Sequence, residues 1–221
     1  MVTVRSSRIE ADPSGFVVLA EFIPHVIQEI RYYTTYNFIG DRIDGYEEPC
    51  ALLTAEAARA LRSAASELIV QGYRLKIFDA YRPACAVRHF ALWGLEDQDI
   101  RMKQYFYPDL EKQELFSKGY IATRSSHSRG SALDLTLFDM KTGREADMGG
   151  PFDFFGEISH PDYRGPGLTD EQYDNRLILR RAMVRCGFEP YECEWWHFRL
   201  ADEPYPETYF EFPISAKYLR K

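Results

Sequence analysis

Long apolar runs are missing from this chain. None approaches the ~20 residues that a helix needs to cross a bilayer. Charged residues interrupt every apolar cluster of the opening MVTVRSSRIEADPSGFVVLAEF, which leaves no signal-peptide core. The expected location is therefore cytoplasmic, or periplasmic if a leader has been removed, without membrane insertion. Basic residues are in deficit: 27 Lys and Arg stand against 34 Asp and Glu, for a net charge of −7 and a pI near 5.3. That balance argues against nucleic acid or an anionic lipid surface as partner. Cysteine is sparse as well. Cys50, Cys85, Cys186 and Cys193 form no C-x-x-C pair, which excludes a zinc knuckle and makes a disulfide framework thin for this length. Reduced thiols are expected, with disulfide pairing the alternative after export. Internal repeats, linkers and low-complexity tracts are also lacking.

What is present suits a single domain spanning 1–221. The 221 residues are 45% hydrophobic and 15% aromatic, enough for a substantial core and far from a disordered composition. GFVVLAEFIP reads as an early strand closed by Pro24. From Thr54 to Gln71 the spacing of Ala58, Leu61, Ala65, Leu68 and Ile69 predicts a helix, capped by Thr54 and stopped by Gly72. YRLKIFDAYRP follows as a strand with Leu75, Ile77 and Asp79 on one side, and Pro83 opens a second helix, PACAVRHFALW.

Residues 97–120 read as helix or loop, and SALDLTLFD as a strand in which Leu133, Leu135 and Leu137 alternate with Asp134, Thr136 and Phe138. The Gly-, Pro- and Asp-rich segment 140–168 reads as a long loop. Thr169 and Gln172 form a capping box for a helix through Cys186, stopped by Gly187. EWWHFRL is predicted to be the last strand. The mixture predicts an α+β fold with a central, mostly antiparallel sheet flanked by helices.

The residues that could carry chemistry are few. There are only five histidines. His25 and His160 fall in predicted loops and His89 in a predicted helix, whereas His127 precedes Asp134 by seven positions and His197 follows Glu194 by three. Imidazole nitrogen and carboxylate oxygen are both zinc ligands, and a catalytic zinc takes three protein ligands and leaves a position for water. A nearby glutamate supplies the base that hydrolysis requires. In an ideal strand residues 127 and 134 point to opposite faces, as do 194 and 197. Both pairs therefore need a turn or a strand end, which Ser128-Arg129-Gly130 and the start of EWWHFRL would supply.

The runs SKGYIATRSSHSRGSALDLTL and EWWHFRLADEPYP, with FDAYRP and FDFF, resemble the signature of VanX-like D-alanyl-D-alanine dipeptidases. These belong to the wider group of zinc DD-peptidases related to the hedgehog fold. The resemblance covers most of the chain from about 30 to 213 and implies that fold. It also implies one zinc held by His127, Asp134 and His197, with Glu194 as catalytic base and Arg82 stabilising the transition state. A fixed guanidinium suits a charge that develops only along the reaction path. Asp153 matches the position associated with the substrate amine, Ser125 a serine linked to substrate binding, and Tyr32 a tyrosine near the amine end. The implied activity is cleavage of D-alanyl-D-alanine, which in the family serves glycopeptide resistance or recovery of D-alanine. A zinc D,D-carboxypeptidase acting on longer stem peptides is the alternative. A non-catalytic zinc-bearing module is a further one, disfavoured because a binding site needs neither Glu194 nor Arg82. The extra N-terminal residues and the stretch around 158–172 lie outside the shared motifs and bear on access to the site. The sequence leaves a homodimer open.

Overall fold

The computed structural model describes residues 8–219. The chain begins with β1 (Arg8–Glu10) and β2 (Phe16–Val18), then turns at once into α1 (Leu19–Phe22). The single strand expected over GFVVLAEFIP is therefore cut short. Its partner, β4 (Leu52–Thr54), which follows β3 (Ile27–Gln28), pairs with it antiparallel over three positions, from Phe16 opposite Thr54 to Val18 opposite Leu52, so the helix that Thr54 caps bounds the strand at its Phe16 end. At the other end the Leu19 amide still donates to the Ala51 carbonyl at 2.9 Å, but the chain then coils, and the Ile23 amide closes a helical turn on the Leu19 carbonyl at 2.8 Å.

In α2 (Ala55–Val70) the Thr54 side chain accepts from the Ala57 amide, and Gly72 at φ +90° ends the segment. Ala57, Ala58, Leu61, Ala64, Ala65 and Leu68 form the buried stripe, one helical face set against the sheet. β5 (Tyr73–Asp79) pairs antiparallel with β6 (Ala132–Asp139), but the register slips between Ile77 and Asp79. Ile77 lies opposite Leu135 and Asp79 opposite Asp134. Neighbouring positions on β6 face opposite ways, so the irregularity turns Asp79 onto the Asp134 face. The expectation that Asp79 would share a side with Leu75 and Ile77 is thus corrected.

Pro83 caps α3 (Ala84–Gly94) from just outside its first turn, and the next segment holds the short helices α4 (Lys103–Phe106) and α5 (Lys112–Ser117). The expected loop after β6 contains β7 (Arg144–Glu145), which pairs back onto it. Both bonds of the Thr169–Gln172 capping box are made at the start of α6 (Asp170–Arg185), and Gly187 follows at φ +89°.

Six of the described strands, β1, β3, β4, β7 and two further ones, are not named in the sequence reading. β8 (Phe188–Tyr191) contains Pro190, which argues against a strand except at an edge. It is an edge: the sheet order is β3-β5-β6-β9-β8, with β9 (Glu194–Leu200) as its sole neighbour among the described residues. β10 (Thr208–Phe210), not β9, is the last strand, and it pairs parallel with β1. In the six-stranded sheet β3 runs parallel to β5, while the β5–β6, β6–β7, β6–β9 and β8–β9 pairs are antiparallel. α2 packs on β5, and α6 on β6, β8 and β9, giving a mixed helix-and-sheet fold around one hydrophobic cluster. Among the described residues no helix is long and apolar enough to cross a membrane, and the four cysteines are free.

Candidate metal centre and active site

The site grows from the junction of a turn and two central strands. Residues Ser126–Arg129 form a 3-10 turn whose start is capped by the Ser125 side chain, accepting from the His127 amide at 3.3 Å. Gly130 closes the turn at φ +80°, a left-handed conformation in which glycine is unstrained. Space demands glycine too, since a Cβ there would lie 2.3 Å from the Phe16 ring. The turn swings His127 out of strand alternation and onto the side of Asp134, which sits directly opposite His197 in the β6–β9 ladder. Glu194 opens β9 where the β8 register is irregular, which brings its carboxylate to 4.0 Å from His197 Nδ1.

The three residues expected to hold a metal converge. His127 Nε2 lies 3.0 Å from His197 Nδ1 and 3.3 Å from Asp134 Oδ2, and His197 Nδ1 lies 3.0 Å from Asp134 Oδ1. One ligand atom from each falls within 4.8 Å of the others. The chemistry of these donors fits a cation. His127 Nδ1 donates to the Ala80 carbonyl at 2.6 Å, so in a neutral ring Nε2 presents a lone pair to the cluster. Lone pairs and carboxylate oxygens then meet in a buried space with few protons between them. Burial by itself would raise the Asp134 carboxyl, but the charges and hydrogen bonds of His127 and then His197 hold it well below the usual carboxylate range. Burial lowers His197, against the pull of Asp134.

Arg82 reaches the same place from the irregular segment after β5. Its Nε donates to Asp79 at 2.9 Å, its Nη2 approaches Asp134 at 3.4 Å, and its guanidinium rests 4.8 Å above the Tyr32 ring. Asp79 in turn accepts from Tyr46 at 2.7 Å. Sequence reading missed Asp79 and Tyr46 as positioning groups. The signal for Asp79 was its place three residues before Arg82 in FDAYRP, obscured because the bulge that turns it inward is invisible in sequence.

Tyr32 donates to Asp153 at 2.9 Å. Asp153 is buried and has φ +61°, which asparagine and aspartate tolerate better than most side chains. Its carboxyl is pushed up to about 8 by burial and then by the Asp134 charge, against the pull of Arg82. Glu194 is raised as well, by burial first and then by the Asp134 and Asp153 charges. Every residue singled out from sequence lines one cavity of ≈ 210 Å³, with Phe38, Phe90 and Phe155 among its apolar walls. The other histidines lie elsewhere: His89 accepts from the Asp44 amide, and His160 contacts Tyr120.

The raised Asp153 carboxyl has a consequence for stability. Its proton affinity is higher in the folded chain than the ordinary 3.8, so the metal-free native state loses stability as pH climbs from about 4 toward 8. Asp153→Asn keeps the shape and removes that loss. The variant is expected to melt at least about 3 °C higher than wild type at pH 8 and to lose that advantage near pH 5. Thermal scans of both metal-free proteins at the two pH values check this; an equal advantage at both overturns it.

A His-Asp-His set with His127 and Asp134 buried and His197 half-buried, open on one side to a small cavity and flanked by a carboxylate and a guanidinium, has the makings of a metal-dependent hydrolase. The comparison with known proteins gives the family. A model of D-Ala-D-Ala dipeptidases, within the M15 peptidases, matches residues 12–215, and the chain belongs to that metallopeptidase family. It is 44% identical over 202 residues to a D-alanyl-D-alanine dipeptidase of Enterococcus faecalis, covering 91% of this chain and 99% of the relative. It is 43% identical over 201 residues to one of Enterococcus faecium, covering 91% and 98%. With one of Streptomyces coelicolor it shares 40% over 200 residues, covering 90% and 98%.

Proposed function

We propose that this chain is a single-domain enzyme of the hedgehog-related DD-peptidase fold that hydrolyses D-alanyl-D-alanine to two D-alanines. A zinc ion would be held by His127, Asp134 and His197, whose donor types suit it. Zinc, when bound, supplies a Lewis acid that polarises the scissile carbonyl and makes water nucleophilic near neutral pH.

The chain's own groups do the rest. Glu194 takes the proton of the attacking water and delivers it to the leaving amine. Burial first, and then the Asp134 and Asp153 charges, raise its proton affinity, which makes it a stronger base toward the water proton. Arg82, fixed by Asp79, presents its guanidinium to the oxyanion that develops on the carbonyl. Because the guanidinium is already positioned, little reorganisation is needed when that charge appears. Ser125 stands at the substrate's other end.

The observation that carries the dipeptidase reading is Asp153. It is a buried carboxyl whose direct partner is the Tyr32 hydroxyl, and a buried carboxylate without a cation is unfavourable. The ammonium of a dipeptide supplies that cation. Aromatic walls close the cavity there, and at ≈ 210 Å³ it is smaller than the ~300 Å³ lower bound of drug-sized pockets. A longer stem peptide has an amide where the ammonium is needed and nowhere to extend. Purified protein with zinc is expected to release D-alanine from D-alanyl-D-alanine, and from neither L-alanyl-L-alanine nor a pentapeptide stem. Equal cleavage of the stem peptide would establish the carboxypeptidase instead.

A further inference from the structure

The cavity wall holds two arginines in different situations. Arg82 is half-buried and already met by Asp79 and Asp134. Arg124 is exposed, and among the described residues no carboxylate pairs with it. Its guanidinium lies 5.7 Å from the centre of the Tyr209 ring. Arg129 approaches the same ring at 5.8 Å, but its charge is met by Glu203 at 2.7 Å. The contrast leaves Arg124 as an uncommitted positive charge beside a cavity otherwise furnished with the carboxyls of Asp134, Asp153 and Glu194.

We propose that Arg124 binds the C-terminal carboxylate of the substrate and makes a free C-terminus a requirement of the site. This rests on the dipeptidase reading and adds its second anchor. Asp153, deep and buried, answers the ammonium; Arg124 answers the carboxylate at the other end of the same zwitterion. The placement follows from the chain. Arg124 immediately precedes Ser125 and the turn that carries His127, so the group holding the leaving residue is tied to the group holding the metal. A planar guanidinium also matches a carboxylate through two parallel hydrogen bonds, which an ammonium cannot do. An exposed arginine gains from a substrate what it lacks within the protein: a charged acceptor that is partly desolvated on binding.

The test pairs D-alanyl-D-alanine with its C-terminal amide. Arg124→Ala is expected to raise KM for the acid about 10- to 50-fold with kcat changed less than about threefold, and to leave KM for the amide at the wild-type value. Arg124→Lys should recover part of the loss, and the gap should shrink as salt is raised. Equal losses on acid and amide would mean a structural role, and no change in KM would mean no contact; either overturns the proposal. Calorimetric titration of both ligands into zinc-loaded Glu194→Gln protein, with and without Arg124→Ala, reads the same preference without turnover. If wild type hydrolyses no dipeptide, the dipeptidase reading fails, while the acid-over-amide binding ratio still decides Arg124.

Discussion

Glu194→Gln is expected to lower kcat on D-alanyl-D-alanine about 10²- to 10⁴-fold while metal content stays at the wild-type level. The glutamate stands 4.0 Å from His197 Nδ1, close to the His-Asp-His cluster without belonging to it. Glutamine keeps the volume and the hydrogen-bonding capacity but cannot carry a proton from water to the leaving amine. KM should change little, because in the proposed arrangement the ends of the substrate are held by other groups. Folding should not suffer either: the substitution removes a half-buried acid that repels Asp134 and Asp153. Steady-state kinetics, metal analysis and a thermal scan on one preparation check all three points. Wild-type turnover would remove Glu194 from the mechanism, and loss of metal would make it a ligand instead of a base.

Removing the metal is expected to abolish turnover altogether, and zinc to restore it. The site's donors crowd within 4.8 Å of one another in a buried space. Without a cation that arrangement sets lone pair against lone pair and leaves the Asp134 charge with only the imidazoles and Arg82 for company. A ligand present at a thousandfold excess over its Kd stabilises by about 4 kcal/mol. For a chain of this size that corresponds to a melting temperature on the order of 10 °C higher with zinc than after chelation. In His127→Ala the zinc-dependent rise and the recovery of activity should both disappear, because one donor of the three is gone. Undiminished activity in excess chelator would end the metal-centred reading.

Much of the architecture is local and therefore legible. The Thr54 cap, the Thr169–Gln172 capping box and the glycines at 72 and 187 each act within a few residues, so helix ends show in the letters. The Leu133–Leu135–Leu137 alternation marks β6 for the same reason. Edge and pairing information is different in kind. Pro190 hides β8 because a proline's cost depends on whether a neighbouring strand needs its missing N–H. The strand through GFVVLAEFIP stops early because the chain coils into a helical turn at Leu19, a change of state that its continuous apolar run does not reveal.

The sequence by itself determined which side chains are available for chemistry: His127, Asp134 and His197 as donors, with Glu194, Arg82, Asp153, Ser125 and Tyr32 around them, recognisable because their spacing recurs in a family. Tertiary structure alone decided that they meet. The Gly130 turn brings His127 round to Asp134, the slip after Ile77 turns Asp79 toward Arg82, and strand pairing sets Asp134 opposite His197. Each of these depends on contacts between segments tens of residues apart, and pairing across such distances is set by the packing of the whole sheet, which no local window of residues contains.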